Sequence, residues 1–278
     1  MASVTGRIKE IKQPVGGYIK PSEFDAIVLN DGITLNSEEN VHGSVIGMVV
    51  DYLTRYTMGT DIAEVFEISL QGATIAEEFR VKKAMSVAEN LIKNINGLDN
   101  KSIVNACKLV TFDVWRRDPM SAMLAKGYKE INPDKKTIEN IQTLIKRSVT
   151  FFEEYGPITK DGFTFEPSKA DEKAYDKMLE TGKGSYGGYT ATVESGDGDF
   201  LTADTMWDFK VLKSKLTNKH TLQLLMYWIM GQHSGQKIFK GIKKLGIFNP
   251  RINTAYLLAV SKISADIIKS VEDEVLCY

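Results

Sequence analysis

The chain has 278 residues, with 35 Lys plus Arg against 36 Asp plus Glu, and its pI is about 6.4. This balance excludes a protein that coats nucleic acid non-specifically, a task needing a basic excess, but not an enzyme that holds nucleic acid in one groove. No apolar run approaches the ~20 residues that span a bilayer, so no membrane role is expected. The N-terminal MASVTGRIKEIKQP lacks the apolar stretch of a signal peptide, and a reducing cytoplasm is the expected setting. Cys107 and Cys277 are too few for a four-cysteine zinc or iron–sulfur site.

The first ~35 residues, with Pro14, Gly16-Gly17 and Pro21 around short runs such as Ala26-Ile27-Val28-Leu29, predict loops with a strand or two. Helical periodicity then takes over. EENVHGSVIGMVVDYLTRYTMG sets Val41, Val45, Met48, Val49, Tyr52 and Leu53 on one face, with His42 near its start as a surface or capping residue. Gly59 stops this helix, and Thr60-Asp61 can cap another from Ile62. FRVKKAMSVAENLIKNI, SIVNACKLVTFDVWRR and KKTIENIQTLIKRSVTFFEEY continue the pattern until Gly156-Pro157. Residues 1–156 are therefore expected to form a mainly helical region, a channel wall or partner surface.

Residues 157–278 read differently. SKADEKAYDKMLE is a surface helix, and TGKGSYGG a flexible loop. YTATVES, DFLTAD and MWDFKV are short β-rich runs, followed by a helix (HTLQLLMYWIMGQH), a last strand (TAYLLAVSKI) and a C-terminal helix. The expected fold class is α+β, with a mixed sheet of four or five strands flanked by helices and a large helical region before it.

The informative stretch runs from Gly198 to Lys210. Asp208 and Lys210 are two residues apart and leave the same face of an extended strand. A tight turn after the preceding strand would bring Asp199 beside them. Two carboxylates and an ammonium at one point suit Mg²⁺ (or Mn²⁺), which binds carboxylate and phosphate oxygens, and suit phosphodiester hydrolysis. The lysine would orient or deprotonate the attacking water and stabilise charge on the phosphate. The same string also fits a surface Asp–Lys pair. Glu194, Asp197 and Asp204 border the hairpin and would replace Asp199 under a shifted register. Lys213, Lys215 and Lys219 follow at once, a basic cluster that is either solvated surface or a nucleic-acid contact.

On the next helix Gln223 and Tyr227 stand at i and i+4, hence on one face. Gly198-Asp199, Asp208-Phe209-Lys210 and Gln223-x-x-x-Tyr227 in this order resemble the RecB-like branch of the PD-(D/E)XK nuclease superfamily. The resemblance covers residues 188–235, about a sixth of the chain. It implies a restriction-endonuclease-like core and a metal-dependent DNA nuclease of recombination, repair or defence. Asp199, Asp208 and the Phe209 carbonyl would be metal ligands, Lys210 the catalytic lysine, and Gln223 and Tyr227 supports for the site or the nucleic acid. The bland reading of Gln223 and Tyr227 is a polar edge and a core aromatic. The histidine that the family often carries on an earlier helix is replaced by Val50 within Gly47-Met48-Val49-Val50-Asp51, leaving Asp51 either an added ligand or a solvent-facing helix residue.

No phosphate-binding loop and no serine–histidine hydrolase elbow is present, and His220 and His233 lack partners at metal spacing. RNA shares the phosphate chemistry and stays open as a substrate, as does a protein partner; the oligomeric state is not encoded in any readable interface. The rival expectation is a non-catalytic nucleic-acid-binding or interaction module that retains the nuclease fold.

Overall fold

Five strands of the C-terminal half and one from residues 25–28 build a six-stranded mixed sheet, against the four or five strands expected. The computed structural model describes residues 2–278. The strands of the six-stranded sheet are β1 (Asp25–Val28), β2 (Lys160–Phe163), β3 (Gly198–Leu201), β4 (Thr205–Phe209), β5 (Lys244–Asn249) and β6 (Thr254–Ala259), in spatial order β1-β6-β5-β4-β3-β2. All neighbours are antiparallel except β4 and β5, which run parallel. A parallel pair needs a crossover, and here it is a helix, Asn218–His233, that is apolar on nearly every side and therefore buried.

The chain divides into two compact units: the described residues up to Leu29 with Glu154–Tyr278, and Asn30–Glu153. The first ~29 residues, expected with the helical region 1–156, thus join the sheet. The reason is apolar burial and chain pairing. Val4 and Ile8 of helix α1 (Val4–Glu10), with Ile19 and Phe24, share one core with the crossover helix. The Arg7 guanidinium donates to the Val275 carbonyl at 2.9 Å, and β1 pairs along β6. The expected flexible loop at 181–188 is partly ordered: Ser185–Tyr186 pairs antiparallel with Tyr189–Thr190. Gly188 is required there, because a Cβ would fall 2.2 Å from the Met230 carbonyl oxygen.

The second unit is helical. α2 (Gly43–Thr57) is capped by the His42 imidazole, which accepts from the Ser44 N–H. α3 (Glu67–Glu78), α4 (Ala84–Lys93), α5 (Asn100–Leu109) and α6 (Asp113–Arg117) follow, and α7 (Lys135–Tyr155) ends at the boundary. α3 packs closely on the α6 start, since a Cβ on Gly72 would meet the Phe112 carbonyl oxygen at 2.0 Å. Asp113, 1% exposed, accepts from the Tyr52 hydroxyl at 2.6 Å and from the Ser69 hydroxyl. Arg147 clamps Asp31 through paired bonds of 2.7 and 2.9 Å. With α8 (Glu172–Thr181), α9 (the crossover Asn218–His233) and α10 (Ala265–Ser270) of the sheet unit, the fold class is α+β.

Candidate active site

β4 is an interior strand, and both of its faces are covered. Trp207 points one way, stacking on Phe200 at 6.2 Å and meeting Tyr155 edge-on at 5.3 Å. Met206 points the other way, into the core beneath α9. Asp208 shares the Met206 face by strand alternation, so it is buried to 2% under the helix rather than standing on a solvated surface. The alternative of a surface Asp–Lys pair is thereby overturned, since the pair is buried at Asp208. Lys210 Nζ lies 2.9 Å from Asp208 Oδ1. Asp208 Oδ2 is buried and has no hydrogen-bond partner among the described residues.

The β3–β4 hairpin pairs Phe200 with Trp207 and Leu201 with Met206. One further step along this register sets Asp199 beside Asp208, where directly opposed residues have Cβ atoms ~5 Å apart. Asp199 is exposed and accepts from the Phe209 N–H. Burial works to lower the Lys210 pKa, but Asp208 and Asp199 outweigh it and raise the value overall, holding the ammonium charged. Exposed Asp197 adds to this field. Asp204 is engaged elsewhere: it accepts from the Thr205 hydroxyl at 2.8 Å and pairs with Lys244 at 3.0 Å, the turn role that suits its position.

On α9, Gln223 Nε2 donates to the Tyr227 hydroxyl at 2.9 Å, and both side chains are buried. Burial first, then the Asp208 carboxylate, push the Tyr227 pKa well above its usual value, so the phenol keeps its proton to donate. Tyr227 also stacks on Phe165 at 5.4 Å, so a packing role and a polar role coexist in one side chain. Lys213, Lys215 and Lys219 are exposed on the segment from β4 into α9. Asp51 stands half-buried on α2, in the helical unit.

Two residues near the centre are not among those the sequence assigns to the site. His220, a turn before Gln223, accepts from the Thr217 N–H at 3.1 Å through Nδ1, closing the α9 capping box. Burial, then nearby Lys210, lower its pKa, against the opposing pull of Asp208, so its neutral form is favoured. The spacing 220, 223, 227 on one helix face was the available signal. Asn249, fully buried at the end of β5, accepts from the Leu212 N–H at 3.2 Å and donates to the Leu212 carbonyl at 3.0 Å. It fixes the backbone just beyond Lys210, and nothing in the local sequence announces it.

Among the described residues, no three His, Cys, Asp or Glu side chains gather as a metal-holding group. A cation at the hairpin would therefore rest on the Asp199 and Asp208 carboxylates and backbone oxygen. The donor set fits a hard divalent ion that keeps part of its hydration, and the unpartnered Asp208 Oδ2 supplies a buried anionic oxygen for it. No protein-family model, curated protein or solved structure matches the chain. No helix among the described residues is long and apolar enough to cross a membrane.

Proposed function

We propose that the sheet unit is a metal-dependent nuclease that hydrolyses DNA phosphodiester bonds, with a restriction-endonuclease-like core of the RecB-like kind. The observation that carries this reading is the buried Asp208 carboxylate, paired to Lys210 on one oxygen and unpartnered on the other. Burying an anion is costly, and a strand with no task for the charge would do better with an apolar residue. The order of elements supports the reading as well: the glycine-led strand with Asp199, the strand with Asp208-x-Lys210, and then the helix with Gln223 and Tyr227.

Asp199 and Asp208, with the Phe209 carbonyl as a further donor, would hold Mg²⁺ or Mn²⁺. Such an ion, when bound, neutralises phosphate charge and activates water. Lys210, kept as an ammonium, donates to a phosphate oxygen and offsets the charge that builds as water attacks phosphorus and the bond to the leaving sugar oxygen breaks. Tyr227 offers its phenol proton as a hydrogen bond, and Gln223 fixes the orientation of that phenol. Lys213, Lys215 and Lys219 supply exposed positive charge for the sugar–phosphate backbone.

The test is cleavage of linear and circular DNA, single- and double-stranded, and of RNA, with Mg²⁺, Mn²⁺ or EDTA, by the parent and Lys210→Ala. Metal-dependent cutting lost in the variant is expected. Absence of cutting by the parent on every substrate, with intact binding, would instead support the non-catalytic binding module.

A further inference from the structure

The helical unit contains a cleft of about 530 Å³, a size that takes a small organic ligand. Phe112, Trp115 and Tyr128 line it together with Lys82, Lys126 and Lys129. Tyr128 stacks on Phe112 at 5.7 Å, which holds its ring in place, while Trp115 is half-buried against Phe79. The three lysines are exposed, and among the described residues none is paired with a carboxylate. Of the nearby acids, Asp113 is buried on Tyr52 and Ser69, whereas Asp118 and Glu130 are exposed, Asp118 capping Ser121 and Glu130, which also lines the cleft, accepting from the Gly127 N–H. Arg80 and Lys83 flank Lys82 with φ of 67° and 60°, left-handed values that glycine would reach at lower cost. The wall is thus aromatic, and the rim carries three lysines against the single carboxylate of Glu130.

We infer that this cleft binds an unpaired nucleobase of a single-stranded nucleic acid, with the flanking phosphates on Lys82, Lys126 and Lys129. Flat aromatic walls stack on any base, which gives sequence-tolerant binding, and an ammonium rim tracks the backbone. A duplex keeps its bases stacked inside and offers the cleft only phosphates. The inference rests on reading the chain as a nucleic-acid enzyme and gives the helical unit a substrate-holding role that does not depend on the hairpin chemistry.

Fluorescence anisotropy of a labelled oligothymidylate, in EDTA so that no cleavage intervenes, tests it on the full chain. The Lys82→Glu/Lys126→Glu/Lys129→Glu variant is compared with a control reversing Lys93, Lys135 and Lys146, exposed lysines of the same unit outside the cleft. Circular dichroism confirms that both fold. We expect the cleft reversal to weaken binding at least about tenfold and the control less than about threefold, with single strand preferred over duplex of equal length. Equal losses in the two variants, equal affinity for duplex, or no binding by the parent would overturn the inference. Failure of the nuclease reading shows separately, as the absence of Lys210-dependent cleavage with metal.

Discussion

Lys210 Nζ sits 2.9 Å from Asp208 Oδ1, and this pair is the electrostatic centre of the sheet unit. Asp208 is almost fully buried, whereas the Lys210 side chain keeps 23% of its exposure. Removing the lysine leaves a buried carboxylate without its counter-charge. Lys210→Ala is expected to cost about 2–3 kcal/mol, the lower end for a broken buried pair because of that residual exposure. Adding Asp208→Asn should recover part of the loss. The folded pKa of Lys210 is raised above the ordinary 10.5, so its contribution is complete below that value and is lost as pH rises through the folded pKa. Urea midpoints at neutral pH and above pH ~10.5 check the sign: the gap between parent and Lys210→Ala should narrow in alkali. A gap that widens there would contradict the pairing.

Metal binding can be read without catalysis. An ion that binds the folded state alone raises stability by about 2.7 kcal/mol at a hundredfold excess over its dissociation constant. Thermal melting of the parent should therefore rise on going from EDTA to saturating Mg²⁺. Asp199→Asn and Asp208→Asn should abolish the rise, while Asp204→Asn, which alters only the turn contact with Lys244 and Thr205, should keep it. An undiminished rise in Asp208→Asn would move the ion away from the hairpin.

The bond from Gln223 to Tyr227 predicts an asymmetric pair of variants. Tyr227→Phe preserves the stack on Phe165 but strands the Gln223 amide in the core, at about 1–2 kcal/mol. Gln223→Leu replaces the donor with an apolar group and leaves the phenol its proton, so it should cost less in stability. If the phenol meets the substrate, Tyr227→Phe lowers kcat of the cleavage reaction more than Gln223→Leu does. Steady-state cleavage rates and denaturation of both variants decide this, and a larger kcat loss in Gln223→Leu would count against the phenol.

Much of the site was readable from spacing alone, because strand alternation and helical i,i+4 geometry are local rules. Asp208, Lys210, Gln223 and Tyr227 lie on the elements expected of them, and Asp199 falls opposite Asp208 through the hairpin register. Burial was not readable. Asp208 looks like a surface strand residue until α9 is laid over it, and that covering is a tertiary fact. Nor was the partner of β4 visible. β5 lies in IKKLGIFNP, where lysines and a glycine dilute the strand signal, yet it is the central parallel neighbour of the strand that carries Asp208. The N-terminal residues carry only short apolar stretches, and their place with the sheet depends on contacts with residues over two hundred positions away, such as Arg7 with Val275.

Asp113 gives a pH signature within the helical unit. Burial raises its pKa, against the lowering effect of hydrogen bonds from Ser69 and Tyr52. A raised folded value means that the folded state holds the proton longer than the unfolded one. Stability from this group is therefore full below pH 3.8 and falls as pH rises through the folded pKa. Asp113→Asn keeps an acceptor oxygen and never charges, so its stability relative to the parent should improve from pH ~4 to pH ~7. Asp113→Ala strands two buried hydroxyls and should cost about 2–4 kcal/mol across that range. Urea titrations at both pH values measure this, and an Asn variant that worsens toward neutrality would mean that the native carboxylate is a net stabilising charge.

Gly246 ties the weak strand signal of β5 to the geometry of the site. Its register partner on β4 is Trp207, and a Cβ at position 246 would fall 2.3 Å from the indole ring. The absent side chain is what lets the ring lie across β5, and the ring in turn fixes the strand that presents Asp208 on its opposite face. Gly246→Ala forces either the indole or the strand to move. Because Trp207 is 1% exposed and stacked on Phe200, the indole has no free direction. A loss of about 1–3 kcal/mol is expected, with a shift in near-ultraviolet circular dichroism from the displaced indole. If the strand moves instead, Asp208 leaves its place beside Lys210, and metal-dependent cleavage should fall by more than the loss of folded protein explains. Unchanged stability in Gly246→Ala would show that the ring does not lie against this glycine.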